Sequence, residues 1–174
     1  DMTFLDVARC VASGQDLSRI AIAGCAVRSR DGVRIPAMRP PVAALDSLPF
    51  PVRHPELVQA VGGSVLGSRG CSGICSFCCI NPFYGGQSVW RGRTAENIAR
   101  EIEILLPLLK ERYIYFLDAD VFGGPKHRKH RARAISRMLA PHRLRFGLEA
   151  RPVDMDPEVA SELAAAGLQD IFLG

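Results

Sequence analysis

Three cysteines stand at the spacing C-x3-C-x2-C in Cys71-Ser72-Gly73-Ile74-Cys75-Ser76-Phe77-Cys78, and Cys79 adjoins the last of them. Soft thiolates gathered in one loop are ligands for soft or borderline metals. Three thiolates suit an iron–sulfur cluster that leaves one iron without a protein ligand. Zinc is the competing chemistry, but zinc sites usually close four ligands in paired C-x2-C or C-x2-H units. None of His54, His127, His130 and His142 stands at a matching spacing. Adjacent residues rarely both reach one metal, so Cys79 reads as a structural thiol. A protein that only carries electrons normally supplies four cysteines per cluster. The missing fourth ligand therefore favours catalysis: an open iron can bind a chelating small molecule and pass it one electron.

The loop needs elements that hold it. The chain has 174 residues, 48% of them apolar and 23% charged, enough for one domain with a real core. A net charge of +4 does not by itself imply nucleic acid. No run of eighteen apolar residues appears, so no membrane span is expected. Four of the six cysteines crowd into nine residues and no export signal precedes them. That argues against a disulfide framework and for reduced thiols in the cytoplasm. Asp1 is not an initiator and Ile171-Phe172-Leu173 reads as a strand just begun, so a fragment of a longer protein is expected.

Residues 3–13 have the spacing of a short amphipathic helix ending near Gly14. Ile20–Val27 reads as a strand, Arg30-Asp31-Gly32 as a turn and Val33–Ile35 as the returning strand. Cys10 and Cys25 are isolated and read as buried small hydrophobes. Six prolines between residues 36 and 57 forbid a regular helix or a central strand there. A regular alternation follows. Ser64–Leu66 is a strand leading into Gly67-Ser68-Arg69-Gly70 and the cysteine loop. Thr94 caps a helix through Ile98, Ile102, Leu105 and Leu109. Tyr113–Leu117 is a buried strand closed by Asp118-Ala119-Asp120. A helix spans about 129–140. Leu144–Leu148 is a third strand, ending in Glu149-Ala150-Arg151-Pro152. Asp156-Pro157 opens a third helix, which closes at Gly167, and Ile171–Leu173 is a fourth strand. Strand–helix alternation with short connections means a parallel sheet with helices outside, and such sheets place their chemistry at the carboxyl ends of the strands. The cysteine loop, Asp118 with Asp120, and Glu149 with Arg151 all fall at those ends.

The C-x3-C-x-aromatic-C loop after a first strand, with Phe77 before the third cysteine, resembles the radical S-adenosylmethionine (SAM) superfamily. The wider wording is similar to its cobalamin-dependent branch. It is carried by Gly67-Ser68-Arg69-Gly70-Cys71, Asn81-Pro82-Phe83-Tyr84-Gly85, Trp90-Arg91-Gly92-Arg93-Thr94, the stretch from Phe116 to Phe122, and Gly167 through Gly174. Leu45-Asp46-Ser47-Leu48-Pro49-Phe50-Pro51 resembles the linker that follows a cobalamin domain in that branch.

The resemblance implies an α/β fold: a partial (β/α) TIM-barrel-like radical SAM core, a parallel sheet with outer helices, preceded by a small α+β and proline-rich region. Residues 1–60 would be the linker region after a cobalamin-binding domain, and 61–174 the amino-terminal part of the core. It implies that Cys71, Cys75 and Cys78 ligate three irons of a 4Fe–4S cluster and that SAM chelates the fourth. One electron then splits the sulfonium to methionine and a 5′-deoxyadenosyl radical, which abstracts hydrogen from an unactivated carbon. Phe77 stands where the family meets the adenine, Asp118 and Asp120 where it places groups near the SAM amine, and Glu149 and Arg151 where polar residues meet the ribose or carboxylate. Residue by residue, the bland alternatives are packing for Phe77, strand-end solvation for the two aspartates, and a mutual surface ion pair for Glu149 and Arg151. Trp90, Arg91 and Arg93 precede the first helix of the core, where cations oppose its dipole. They read as solvated arginines or as partners of a bound anion.

The reaction implied is radical methylation or rearrangement at a carbon in a biosynthetic pathway. Its partners would be a small-molecule or peptide substrate and a flavodoxin- or ferredoxin-type reductant. The cobalamin ligand motif Asp-x-His-x-x-Gly is absent from the chain, so any cobalamin would be bound outside these residues. The alternatives are a tRNA or protein methylthiotransferase, which would want further cluster cysteines, and a non-catalytic iron–sulfur or zinc module. The basic run from Lys126 to Arg137 lacks interleaved aromatics and reads as a solvated face rather than a nucleic-acid surface.

Overall fold

The computed structural model describes residues 2–85 and 90–174. The chain separates into two compact units, Asp1–Val42 and Ala43–Gly174.

In the first unit, helix α1 (Met2–Ala12) precedes a two-stranded antiparallel ribbon of β1 (Val27–Ser29) and β2 (Gly32–Arg34), with Val27 opposite Arg34. The strand expected over Ile20–Val27 is not formed; only Val27 belongs to one. Gly24 has φ of +77°, and a turn closes there through the Cys25 N–H to the Ile22 carbonyl. Arg34 Nη2 then takes the Ser18 and Ile20 carbonyls at 3.0 and 2.8 Å, so the backbone there is held without a ladder. Cys10 and Cys25 are half-buried, not buried, because this small unit has little interior.

In the second unit, residues 43–53 run extended apart from a 3-10 turn at Leu45–Ser47. Helix α2 (Pro55–Val61) begins inside the stretch where prolines argued against any helix. Pro55 occupies its first position, where the missing N–H has no intrahelical partner to lose. Strand β3 (Gly63–Val65) leads to the short β4 (Ser68–Arg69), the cysteine loop and the four-residue α3 (Ile80–Phe83). Strand β5 (Arg91–Gly92) pairs antiparallel with β4. Then come α4 (Ala95–Leu105), β6 (Tyr113–Phe116), α5 (Arg128–Leu139), β7 (Arg145–Ala150), α6 (Pro157–Ala165) and β8 (Leu168–Leu173). The sheet order is β3-β6-β7-β8, every pair parallel.

Caps fix the helix starts. Thr94 Oγ1 accepts the Asn97 N–H at 3.2 Å, and Asp156 Oδ1 accepts the Val159 N–H at 3.0 Å. Ile98, Ile102 and Leu105 on α4, Ile135 and Leu139 on α5, and Val159 and Leu163 on α6 bury their apolar stripes against the sheet. They meet Phe116 and Phe146, whose rings pack edge to face at 6.1 Å.

The basic run is not a bare solvated face. Lys129 pairs with Glu158, Arg133 with Glu158 and with Glu162 at 2.9 Å, and Arg128 with Asp156 at 3.4 Å. These partners all lie at or in α6, so the charges are spent between neighbouring helices. Such exposed pairs contribute little stability each. Arg131 points inward instead and is 8% exposed.

Candidate functional site

Parallel strands bring the carboxyl ends of β3, β6 and β7 to one rim, which carries the cysteine loop, Asp118 with Asp120, and Arg151. The two aspartates are not solvated strand-end residues: Asp118 is 0% and Asp120 2% exposed. Asp118 Oδ2 accepts the Gly67 N–H at 2.9 Å, and the Ser68 hydroxyl donates to its Oδ1. Burial pushes the Asp118 carboxyl up to about 6, against the pull of those hydrogen bonds and of Arg131. Asp120 Oδ2 accepts the Ser72 N–H at 3.0 Å and the Ser72 hydroxyl, and its Oδ1 accepts the Gly123 N–H at 3.0 Å. Both carboxylates thus brace the loop that leaves β3.

A second group of side chains braces it from outside. Arg131 donates to the Gly67 carbonyl at 2.7 Å, the Val121 carbonyl at 3.3 Å and the Arg93 carbonyl. Trp90 donates its indole N–H to the Asp120 carbonyl at 2.6 Å, and its ring stacks on His127 at 5.8 Å. Arg93 is not solvated either. It reaches Asn97 Oδ1 at 2.6 Å, the Leu66 carbonyl at 2.8 Å and Glu101, which also holds Arg53. This inward pairing answers the unfavourable dipole at the start of α4. Arg91 lies over the Tyr84 ring at 5.0 Å.

Cys71 and Cys78 are half-buried, and Cys75 and Cys79 are exposed. Gly73 sits between the first two thiols. A Cβ added there would stand 3.4 Å from Cys71 Sγ, 3.7 Å from Cys75 Sγ and 3.4 Å from Arg151 Nη1. Two thiols and a guanidinium therefore border one hollow that any side chain would fill. Asn81 donates to the Gly73 carbonyl and the Cys78 N–H to the Cys75 carbonyl at 3.2 Å, so the third cysteine is folded back toward the first two. Cys71 Sγ accepts the Gly73 N–H at 3.2 Å. Burial pushes the Cys71 thiol up, with Asp120 and Cys78 adding to the rise; the Gly73 N–H and Arg151 pull it down.

Arg151 holds Asp154 at 2.7 Å, not Glu149, and its Nη2 stands 3.9 Å from Asp120 Oδ2. That Nη2 is buried and has no hydrogen-bond partner among the described residues. The mutual pair of Glu149 and Arg151 is therefore not formed; Glu149 is half-exposed on β7 beside Tyr115. Phe77 is 92% exposed.

Among the described residues, no three His, Cys, Asp or Glu side chains converge as a single ion would require. A polynuclear cluster asks for something else, with each thiolate on a different iron. A soft donor set, a hollow at Gly73 and a cation with an uncommitted N–H fit such a group. Sequence reasoning missed Ser68, Ser72, Asn81 and Arg131. Ser68 and Ser72 sit inside the motif stretch, but nothing in their spacing announces an aspartate some fifty residues on, the separation being 50 and 48 residues.

The family described as the radical SAM superfamily matches residues 65–174. The chain belongs to the radical SAM superfamily. No curated protein sequence matches it. Among solved structures, this radical SAM chain is similar to the cobalamin-dependent S-adenosylmethionine radical enzyme OxsB with aqua-cobalamin and S-adenosylmethionine bound. The TM-score is 0.77 at 20% identity, over 99% of this chain and 26% of OxsB. It is also similar to the radical S-adenosylmethionine methyltransferase TsrM from Kitasatospora setae with cobalamin and a [4Fe–4S] cluster bound. Here the TM-score is 0.72 at 22% identity, over 99% of this chain and 36% of TsrM. TsrM with tryptophan substrate and the SAM analogue aza-SAM gives 0.73 at 23% identity, over 99% and 35%. At these identities the likeness is one of fold: a partial radical SAM core, with parallel strands inside and helices outside. The chain spans only 26% to 36% of the length of these structures. No helix among the described residues is long and apolar enough to cross a membrane.

Proposed function

We propose that Cys71, Cys75 and Cys78 hold a 4Fe–4S cluster whose remaining iron takes SAM, and that the protein is a cobalamin-dependent-type radical SAM enzyme. The observation that carries this reading is the hollow at Gly73, bordered by the Cys71 and Cys75 thiols and by Arg151 at the carboxyl end of the first parallel strand. When bound, the cluster supplies the electron that cleaves SAM to methionine and a 5′-deoxyadenosyl radical. The chain's own part is to bind and orient. Arg151 offers its uncommitted Nη2 to the SAM carboxylate. Phe77, exposed beside the third ligand, lies against the adenosine, and Glu149, on the open side of the sheet, meets its ribose. Asp118 and Asp120 serve from behind by fixing the loop.

The reaction in this reading is methylation or rearrangement at an unactivated carbon of a small molecule or peptide in a biosynthetic pathway. It is supported by the fold shared with OxsB and TsrM. Cobalamin would be held by residues outside this chain, a flavodoxin- or ferredoxin-type protein would deliver the electron, and the reducing cytoplasm would keep the thiols reduced. The test is anaerobic reconstitution with iron and sulfide. A brown protein with visible charge-transfer absorption that changes on adding SAM is expected. A colourless protein holding one zinc overturns the reading.

A further inference from the structure

One carboxylate holds the first half of the cysteine loop. Asp120 is 2% exposed, and its Oδ2 takes both the N–H and the hydroxyl of Ser72 while standing 3.8 Å from Cys71 Sγ. Its other oxygen is fixed by the Gly123 N–H, and its carbonyl by the Trp90 indole. Every polar atom of Asp120 that can accept is thus committed, and the side chain has one orientation. Ser72 is pressed onto the same residues: a Cβ at Gly124 would lie 2.8 Å from Ser72 Oγ. Gly124 has φ of +80°, so only glycine combines that backbone with that closeness. The Asp120–Gly124 turn is a socket for Ser72, and Cys71 is the neighbour whose direction the socket sets.

Charge adds a second effect. Asp120 is an anion in a nearly dry position, and its nearest cation, Arg151, is 3.9 Å away and tied to Asp154. Screening there is weak. A fixed negative charge beside a thiolate disfavours one more electron on whatever that thiolate binds.

Resting on the cluster assignment above, we infer that Asp120 is a positioning residue for the metal centre: it fixes Cys71 through Ser72 and holds the centre's potential low. The two effects separate in two variants of the full chain, each reconstituted anaerobically with iron and sulfide. Asp120→Asn removes the charge and turns one acceptor oxygen into a donor, so it also loses one N–H bond of the socket. Ser72→Ala removes the hydroxyl half of the bridge and keeps the backbone N–H bond and the charge. Iron retention against a chelator and the midpoint potential, followed by electron paramagnetic resonance, are the readouts, with far-ultraviolet circular dichroism reporting the fold. Asp120→Asn is expected to weaken iron retention about 10- to 100-fold and to shift the potential upward. Ser72→Ala is expected to weaken retention and leave the potential where it was. Wild-type retention and potential in Asp120→Asn, or a downward shift, overturns the inference. If Asp120→Asn unfolds or holds no iron, Ser72→Ala decides: lost retention upholds the inference, and wild-type retention overturns it. A wild-type chain that takes up no iron overturns the cluster assignment and this inference together, whereas unchanged variants of an iron-loaded wild type overturn only the inference.

Discussion

Arg131 of α5 donates through Nη2 to the carbonyl of Gly67 at 2.7 Å, across 64 residues of chain. The same guanidinium reaches two further carbonyls and lies over the Trp90 ring at 5.7 Å. Cutting it back strands these acceptors and removes the cation that faces Asp118. Arg131→Met is expected to cost about 3 kcal/mol of unfolding free energy, read from urea denaturation. Arg131→Lys recovers little, because one ammonium cannot span three separate carbonyls. A loss below about 0.5 kcal/mol, the size of an ordinary surface change, would contradict this.

Asp118 makes stability depend on pH in an unusual direction. Burial raises its carboxyl from 3.8 to about 6, so the folded chain binds this proton more tightly than the unfolded one. Its contribution is therefore full in acid, falls as pH rises from about 4 to about 6, and is level above. The difference over that window is about 3 kcal/mol. Asp118→Asn does not titrate, so wild-type stability minus variant stability should decline over the same window in urea unfolding at stepped pH. A difference that stays constant would be inconsistent with a raised carboxyl.

The cysteines should divide sharply. Alanine at Cys71, Cys75 or Cys78 is expected to abolish iron uptake on anaerobic reconstitution, whereas Cys79→Ala keeps it. Cys79 is exposed and stands at the start of α3, outside the spaced set. Loss of iron in Cys79→Ala would show that the ligand set is misassigned.

Asp46 ties the extended stretch at the start of the second unit to the beginning of α4. Its carboxylate accepts the Thr94 N–H at 3.1 Å and the Thr94 hydroxyl at 2.7 Å, just ahead of α4. Asp46→Ala is expected to cost about 1 kcal/mol, the usual size of a lost helix cap, by thermal or urea unfolding. An unchanged midpoint would mean that Thr94 alone suffices.

The core elements were legible because their cues are local. Thr94 and Asp156 announce their helices by type and position, Tyr113–Phe116 is an apolar run between helix signals, and Arg145–Ala150 carries Phe146 and Leu148 at strand spacing. The cysteine loop was legible by spacing. Misreadings came where a distant partner decides. Ile20–Val27 has strand composition, but the Gly24 turn and Arg34 claim its backbone. The basic run looked solvated because its partners, Glu158 and Glu162, arrive one β/α unit later. Asp118 and Asp120 read as groups near the SAM amine or as solvated strand ends, because nothing near them in sequence shows that Gly67, Ser68 and Ser72 fold onto them.

Strand order equals chain order in the sheet, and this sets the order in which the members of the site occur along the chain. Gly67, Ser68 and Ser72 find Asp118 and Asp120 as soon as β6 lies beside β3, and Arg131 closes the frame with the next helix. By residue 131 the hydrogen-bonded frame of the cysteine loop has all its members, while β7 and β8 are still to be added. Only Arg151, on the third unit, comes late to the thiols.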